Sequence, residues 1–149
     1  MVHPSGRYYV SVNGYSGQDS HVADSTKALR IMLGVDDNAA DHLRLVPRFP
    51  AAWTVMALRR YPVLTGTARQ RLCYRYERAA DGQTFEYEFE RPVDRFSVRL
   101  GPIPAGAQIT GAAHDQRALP WECVESGDSR WVWLKDLSGT AGCVTLAWD

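Results

Sequence analysis

The feature that most constrains the fold is a strict alternation of apolar and polar residues on both sides of the dipeptide Asp81-Gly82. From Arg71 to Glu77, and again from Thr84 to Glu90, each apolar residue is followed by a polar or smaller one. A period of two sends alternate side chains to opposite faces of a strand, and Asp-Gly is typical of a tight hairpin turn. A two-residue loop predicts three cross-strand pairs: Tyr76 with Tyr87, Tyr74 with Phe89 and Arg75 with Glu88.

Further short stretches rich in strand formers follow, separated by turn residues. The stretches are Val55 to Tyr61 (ending before Pro62), Phe96 to Leu100, Ala107 to Gly111, Trp121 to Ser126, Arg130 to Leu134 and Cys143 to Trp148. The turns are predicted at Pro104-Ala105-Gly106, Asp115-Gln116, Gly127-Asp128 and Ser138-Gly139. The pattern predicts a mainly β chain, folded as an antiparallel β-sandwich of about eight to ten strands.

One N-terminal α-helix is predicted before these strands. Asp19 or Ser20 can cap its start, and Gly34 can end it in the left-handed conformation. We therefore expect an N-terminal extension with a single helix over residues 1–34 and a β-sandwich domain over residues 35–149. The apolar residues of this helix spread over more than one stripe, so it needs cover from a second copy of the chain or from another domain.

Composition excludes several function classes. The 17 basic side chains of Lys and Arg balance the 17 carboxylates of Asp and Glu, whereas nucleic-acid and membrane-surface proteins carry a basic excess. No apolar run approaches the roughly 20 residues of a membrane span. The start of the chain lacks the pattern of a signal peptide, which favours a cytoplasmic location.

Few residues indicate chemistry. The three cysteines are widely spaced and form no C-x-x-C pair, so they are expected to be reduced thiols within strands, and neither a metal site nor a cofactor is predicted. We interpret Asp36-Asp37 as a solvated loop after the helix. His21 lies in the first helical turn, where the helix dipole favours a neutral imidazole. The isolated histidines are interpreted as surface residues: His3, His42 and His114.

Tryptophan is concentrated near the C-terminus. Trp131 and Trp133 are two residues apart and share one face of a strand, whereas Val132 and Leu134 occupy the other. If the aliphatic pair faces the core, the indoles face outward and could stack on sugar rings. Two other interpretations stay open at this point: the indoles could lie in the core, or beneath another domain.

A family resemblance rests on the order of short motifs. These are Asp19-Ser20-His21, Gly34-Val35-Asp36-Asp37, the proline-broken stretch Leu43 to Pro50, Ile103-Pro104-Ala105-Gly106-Ala107 and Val144-Thr145-Leu146. The order resembles the C-terminal end of large bacterial glycoside hydrolases with an (α/α)6 barrel, of the α-L-rhamnosidase type. The resemblance implies a last barrel helix that runs into a β-sandwich. It also implies that the catalytic acid and base lie in earlier helices, so no catalytic residue is expected here.

The resemblance gives the first functional hypothesis, a non-catalytic accessory domain that braces the barrel of a parent chain. Asn13, Gln18 and His21 would then be candidate sugar contacts at the cleft, although Asp19-Ser20 departs from the Asn that precedes this His in the family. An alternative is an independent carbohydrate-binding module in which Trp131 and Trp133 form a platform. A third hypothesis, a complete small enzyme, would need two carboxylates from segments such as those of Asp94, Asp115 and Glu125.

Overall fold

A computed structural model describes residues 27–39, 42–50 and 52–149. The chain divides into two compact units, Met1–Met32 and Leu33–Asp149. Residues 27–33 are helical, and Gly34 follows with a φ of 69°, which confirms the predicted left-handed end of the helix. The predicted caps Asp19 and Ser20 lie outside the described residues. Within the described ranges, no helix has the length and apolarity that crossing a bilayer requires.

The second unit is built from strands, which confirms the mainly β prediction. They are β1 (Val35–Ala39), β2 (His42–Leu45), β3 (Val55–Thr65), β4 (Ala68–Arg78), β5 (Gly82–Ile103), β6 (Ile109–His114), β7 (Arg117–Ala118), β8 (Glu122–Ser126) and β9 (Ser129–Trp148). The pairings are antiparallel, except that β2 runs parallel to the second half of β5. The apolar alternation could not reveal this parallel pair, because it is the same for either strand direction.

Two long strands, β5 and β9, run through the whole fold and pair with each other along most of their length. The first half of β5 and the second half of β9 form one layer with β3, β4, β6 and β7. The remaining halves form a second layer with β1, β2 and β8. In the core between them, the Phe96 ring centroid lies 4.8 Å from that of Tyr87 and 5.4 Å from that of Phe89.

The passage from one layer to the other occurs inside paired strands. The β5–β9 register shifts repeatedly between Glu88 and Ile103, and β9 contains Asp136 and Gly139 with φ values of 57° and 124°. Bulges of this kind bend a strand without ending it. The turn predicted at Ser138-Gly139 is therefore wrong, because these residues bend β9 instead of reversing the chain.

The β4–β5 hairpin is confirmed, but its predicted register is wrong. Tyr74 pairs with Tyr87 and Arg75 with Glu86, and the last pair, Arg78 with Gln83, leaves residues 79–82 in the turn. The longer turn is closed by a hydrogen bond from the Ala79 amide to the Gly82 carbonyl, at 2.9 Å. This register pairs opposite charges and also avoids the two carboxylates that a two-residue loop would have placed face to face.

Strand β3 continues through Pro62 to Thr65, so the predicted end before Pro62 is wrong. Among the described strands β3 pairs only with β4, and an edge strand tolerates a proline because no second neighbour needs its missing N–H. A register irregularity between Leu58 and Tyr61 includes Arg60 at a φ of 55°. Bulges, prolines and charges on an edge discourage pairing with another chain.

The residues Asp36 and Asp37 lie in β1, and the predicted solvated loop is wrong. The Asp37 carboxylate accepts a hydrogen bond of 2.7 Å from the Leu64 amide of β3. The carboxylate of Asp37 thereby satisfies a backbone N–H of β3, a strand with which β1 forms no backbone hydrogen-bond ladder.

Candidate functional site

Trp131 and Trp133 project from the outer face of β9. They alternate with Val132 and Leu134, whose exposed fraction is 0%, and both indoles are half-buried. The predicted alternation is confirmed, and the interpretation that placed the indoles in the core is wrong. Aliphatic residues fill the core at this point, so the tryptophan side chains are left at the surface of the second layer.

Arg99 of β5 lies between the two indoles. It is the register partner of Trp133, and its guanidinium carbon is 4.7 Å from the Trp131 ring centroid and 5.7 Å from the Trp133 ring centroid. A guanidinium above an aromatic face is held by the ring quadrupole. We call these three residues the Trp–Arg–Trp cluster. Its contacts restrict the indole rotamers, so a ligand that stacks there meets a surface that is already ordered.

The charge of Arg99 is only partly compensated. Its Nε is buried and has no hydrogen-bond partner in the part of the chain that the structure describes. Burial, and secondarily the charge of Arg48, lowers the pKa of Arg99. An arginine remains protonated at neutral pH even so. The cluster therefore carries a positive charge that no described carboxylate neutralises.

The backbone of β5 beneath Trp131 requires a glycine, which is Gly101. A Cβ on Gly101 would lie 2.9 Å from Cε3 of Trp131 and 3.1 Å from the Arg130 carbonyl oxygen. The φ of Gly101 is 140°, a conformation that other residues rarely adopt. Gly101 thus lets β5 approach the indole closely.

A groove of about 520 Å3 lies beside Trp133 on the same outer face. We call it the tryptophan groove. Four strands supply its lining: His42 and Arg44 from β2, Arg95 and Ser97 from β5, Glu122 and Val124 from β8, and Trp133 and Lys135 from β9. Its size falls within the range of roughly 300–1,000 Å3 that is usual for small-ligand sites.

Hydrogen bonds and ion pairs order the polar lining. His42 Nε2 lies 2.9 Å from the Ser97 hydroxyl, and Ser97 is 2% exposed. His42 is half-buried and lines the open groove, so it lies at the surface with one face packed against the protein. Arg95 pairs with Asp136 at 2.8 Å, and Lys135 pairs with Glu122.

The arrangement combines one apolar face with several fixed hydrogen-bonding groups. Sugars present apolar C–H faces that stack on indoles, and their hydroxyls both donate and accept hydrogen bonds. Arginine and lysine supply donors, the Glu122 carboxylate supplies acceptors, and histidine can supply either. The tryptophan groove therefore has the chemistry of a binding surface for a ring-shaped polar ligand.

A second groove, of about 730 Å3, lies on the outer face of the first layer. It includes Cys73 and Cys143, which are free thiols. Burial, followed by the nearby charges of Glu86 and Asp115, raises the pKa of Cys143. A raised pKa lowers the thiolate fraction at neutral pH, which disfavours Cys143 as a nucleophile.

His114 is the last residue of β6. It is half-buried, and its Nε2 lies 2.7 Å from the hydroxyl of Tyr87. Asp115 beside it accepts a hydrogen bond of 2.8 Å from the Cys143 amide. These contacts join the β6–β7 turn to β5 and β9, which is a structural use of all three side chains.

The carboxylates considered for a complete enzyme occupy different parts of the fold. Asp94 lines a small groove at the bend of β5, Asp115 lines the groove of the first layer, and Glu125 lies in β8. Across residues 27–39, 42–50 and 52–149, no cluster of three or more His, Cys, Asp or Glu could hold a metal ion.

The candidate sugar contacts Asn13, Gln18 and His21 lie outside the described residues and stay predictions. The structure instead adds Arg99 and Arg44, which the sequence analysis missed. Arg44 alternates with the buried Leu43 and Leu45, so its outward orientation was available from the pattern. Nothing in the sequence indicated that β2 lies beside β5.

Comparison with protein-family models, with curated proteins and with solved structures finds no match to the chain.

Proposed function

We propose that this chain is a non-catalytic carbohydrate-binding β-sandwich that serves as an accessory domain of a glycoside hydrolase. One observation carries the proposal: the half-buried indole of Trp133 forms a wall of a groove whose other side chains are nearly all polar. A sugar ring would stack on this indole while its hydroxyls bond to the polar lining. The link to a glycoside hydrolase comes from the resemblance of the motif order to the end of an α-L-rhamnosidase-type enzyme.

The Trp–Arg–Trp cluster supports binding in a second way. An indole that is free to rotate loses conformational entropy when a ligand stacks on it, at a cost of about 0.5–1.5 kcal/mol for each side chain that is immobilised. The guanidinium of Arg99 already restrains both rings. Most of that cost is therefore met during folding, and it does not reduce the affinity for a ligand.

The test is to replace Trp133 with Ala and measure binding to a panel of soluble polysaccharides by affinity electrophoresis and calorimetry. We expect the wild-type chain to bind at least one polysaccharide saturably. We expect Trp133→Ala to lose at least about tenfold in affinity, because removing an aromatic stacking partner costs about 1–3 kcal/mol. Circular dichroism and thermal unfolding check that the variant stays folded.

The matched control is Trp53→Ala. Trp53 is 42% exposed and packs on Phe49, with ring centroids 6.5 Å apart, and it does not line the tryptophan groove. We expect it to leave polysaccharide binding unchanged. If the wild-type chain binds none of the panel, or if the two variants lose affinity equally, carbohydrate binding at this groove is refuted.

The helix supports a second role, bracing the barrel of a parent chain. Leu29 and Ile31 are 50% and 58% exposed, and large apolar side chains on a helix are typically covered by a partner. The two side chains are two positions apart and so lie on different sides of the helix. In the isolated chain each would favour self-association, in line with the homodimer predicted through the helix. We expect Ile31→Lys to lower the apparent mass in sedimentation at high concentration. A wild-type chain that stays monomeric throughout would count against this role.

A further inference from the structure

We propose that the tryptophan groove selects carbohydrates that carry carboxylate groups, such as polymers of uronic acids. This inference rests on the proposed function and specifies its ligand. The observation behind it is two guanidinium groups on this outer face that form no ion pair among the described residues: that of Arg44, which lines the groove, and that of Arg99, in the adjoining Trp–Arg–Trp cluster.

The cationic side chains on this face are of two kinds, those that form an ion pair and those that do not. The charge of Arg95 is matched by Asp136 at 2.8 Å, and that of Lys135 is matched by Glu122. Among the described residues, neither Arg44 nor Arg99 forms an ion pair. Asp36 is the register partner of Arg44 on β1, so its carboxylate offsets part of the charge of Arg44 without an ion-pair contact. The whole chain has a formal net charge of +0, so the positive excess is a local property of this surface.

The surroundings of Arg99 make that excess stronger. Two indoles flank its guanidinium, its Nε is buried without a hydrogen-bond partner, and Arg48 adds a second positive charge nearby. Indoles attract a cation but accept no strong hydrogen bond from it. An anion on this face would offset the repulsion between Arg99 and Arg48. Because Arg99 is half-buried, water screens its attraction to an anion less than it would at an exposed position.

The position of Arg44 fits a ligand that stacks on Trp133. Arg44 is the register partner of Ser97 on β5, and β5 separates β2 from β9. Two strand spacings of about 4.8 Å therefore lie between the backbones of Arg44 and Trp133. Along β5, Ser97 is the partner of Arg44 and Arg99 is the partner of Trp133, so Arg44 and Trp133 are also offset by two residues. The small side chain of Ser97 lines the groove beside Arg44. A sugar ring can occupy this gap, with its face toward Trp133 and a substituent directed toward Arg44.

A carboxylate suits these groups better than a hydroxyl does. The planar guanidinium presents two parallel N–H donors that match the two oxygens of a carboxylate. Arg44 is exposed, so it can reorient to form this fork without breaking another ion pair. A neutral sugar would gain the stacking on Trp133 and single hydrogen bonds to the lining, but not the paired, charge-assisted bonds between a carboxylate and Arg44.

The experiment compares oligogalacturonate with a neutral galactose oligomer of the same length, by calorimetry of the full chain. The variant is Arg44→Gln, which removes the charge and leaves the Trp–Arg–Trp cluster intact. The matched control is Arg59→Gln, because Arg59 is exposed and lines the groove of the first layer. We expect the wild-type chain to prefer the uronate by at least about tenfold at low ionic strength.

We expect Arg44→Gln to lower the affinity for the uronate about tenfold or more and to lower the affinity for the neutral oligomer much less, because glutamine keeps an N–H donor for a hydroxyl but lacks the charge that pairs with a carboxylate. Raising the salt concentration from about 0.05 to 0.5 M should weaken uronate binding selectively, since salt screens the attraction. Arg59→Gln should behave as the wild-type chain does with both ligands.

The two proposals fail in different ways. Equal binding of the neutral and acidic oligomers, unaffected by Arg44→Gln, would overturn the uronate preference and leave carbohydrate binding standing. Binding of neither oligomer, nor of any member of the polysaccharide panel, would remove both. Capture of sulfated glycans or single-stranded oligonucleotides in place of uronates would show that the positive face serves another kind of polyanion, and would also overturn this inference.

Discussion

At the scale of single residues, Gly34 shows what a sequence reveals and what it conceals. Its place after the apolar stripe of the helix predicted a left-handed φ, and the observed value is 69°. A second constraint was invisible, because it comes from a residue beyond β2. A Cβ at this position would lie 1.9 Å from the carbonyl oxygen of Val46, whose amide donates a hydrogen bond of 2.6 Å to the Gly34 carbonyl.

This pair of constraints predicts that Gly34→Ala is strongly destabilising. The left-handed conformation costs a non-glycine residue roughly 1–2 kcal/mol, and relieving the contact with Val46 requires that its hydrogen bond be displaced. We expect a total loss of about 3 kcal/mol or more in the free energy of unfolding. Urea denaturation measures it.

Gly127→Ala is the control for Gly34→Ala. Gly127 has a φ of 58°, and no atom lies within 4 Å of a Cβ built there. Only the conformational cost applies, so we expect a loss of about 1–2 kcal/mol. Equal losses at the two glycines would show that the approach of Val46 does not contribute.

At the scale of elements, the sequence indicated where strands lie better than how they join. Alternation located the hairpin correctly and offered outward indoles as one of three alternatives. It stops at Glu90 and resumes near Phe96, and this gap suggested two strands where β5 is continuous. Periodicity depends on which face is buried, so it is interrupted wherever a strand passes from one layer to the other. The bends in β5 and β9 are therefore the features that local pattern could not supply.

The bend of β5 is secured by Gln83, near the start of the strand. Its side chain accepts a hydrogen bond of 2.7 Å from the Gly101 amide and donates one of 3.2 Å to the Gly101 carbonyl. Gln83 is 3% exposed. Because both groups are buried, the pair links two distant parts of the same strand without competition from water.

We expect Gln83→Leu to lower the free energy of unfolding by about 1–3 kcal/mol, because the Gly101 amide would stay buried without an acceptor. Chemical denaturation monitors the change, and faster hydrogen exchange at Gly101 would localise it. The exposed Gln108 provides the comparison, and Gln108→Leu should have an effect of less than about 0.5 kcal/mol. Indistinguishable stabilities for the two variants would contradict the assigned role of Gln83.

At the scale of the whole molecule, the tryptophan groove exists only because four strands from separate parts of the sequence lie side by side. Trp131 and Trp133 could be proposed from their spacing alone. Arg44 and Arg99 could not, because their positions depend on the β2–β5 and β5–β9 registers. Register between distant strands follows from packing of the complete core, which no single segment encodes.

The core also holds three tyrosines whose ionisation bears on stability. Burial raises the pKa of Tyr87 to about 12, and it likewise raises those of Tyr74 and Tyr76. Unfolded tyrosines release their protons near pH 10. Above that pH the folded chain binds more protons than the unfolded one, so stability falls as pH rises from about 10 to 12 and is fully present below this window.

We expect Tyr87→Phe to show a smaller loss of stability between about pH 9 and 11.5 than the wild-type chain, since phenylalanine does not ionise. Urea unfolding at the two pH values measures it, with each variant referred to its own stability at the lower pH. An equal alkaline loss in both chains would show that Tyr87 ionises alike in the folded and unfolded states.

Because both layers share β5 and β9, they should unfold together. If either layer unfolded, β5 and β9 would lose the hydrogen-bonding partners along about half of their length, and the other layer depends on the same two strands. Neither half can melt first and leave a stable remnant, so residues Leu33–Asp149 should denature in a single all-or-none transition. A ligand seated on the outer face of one layer would accordingly raise the melting temperature of both.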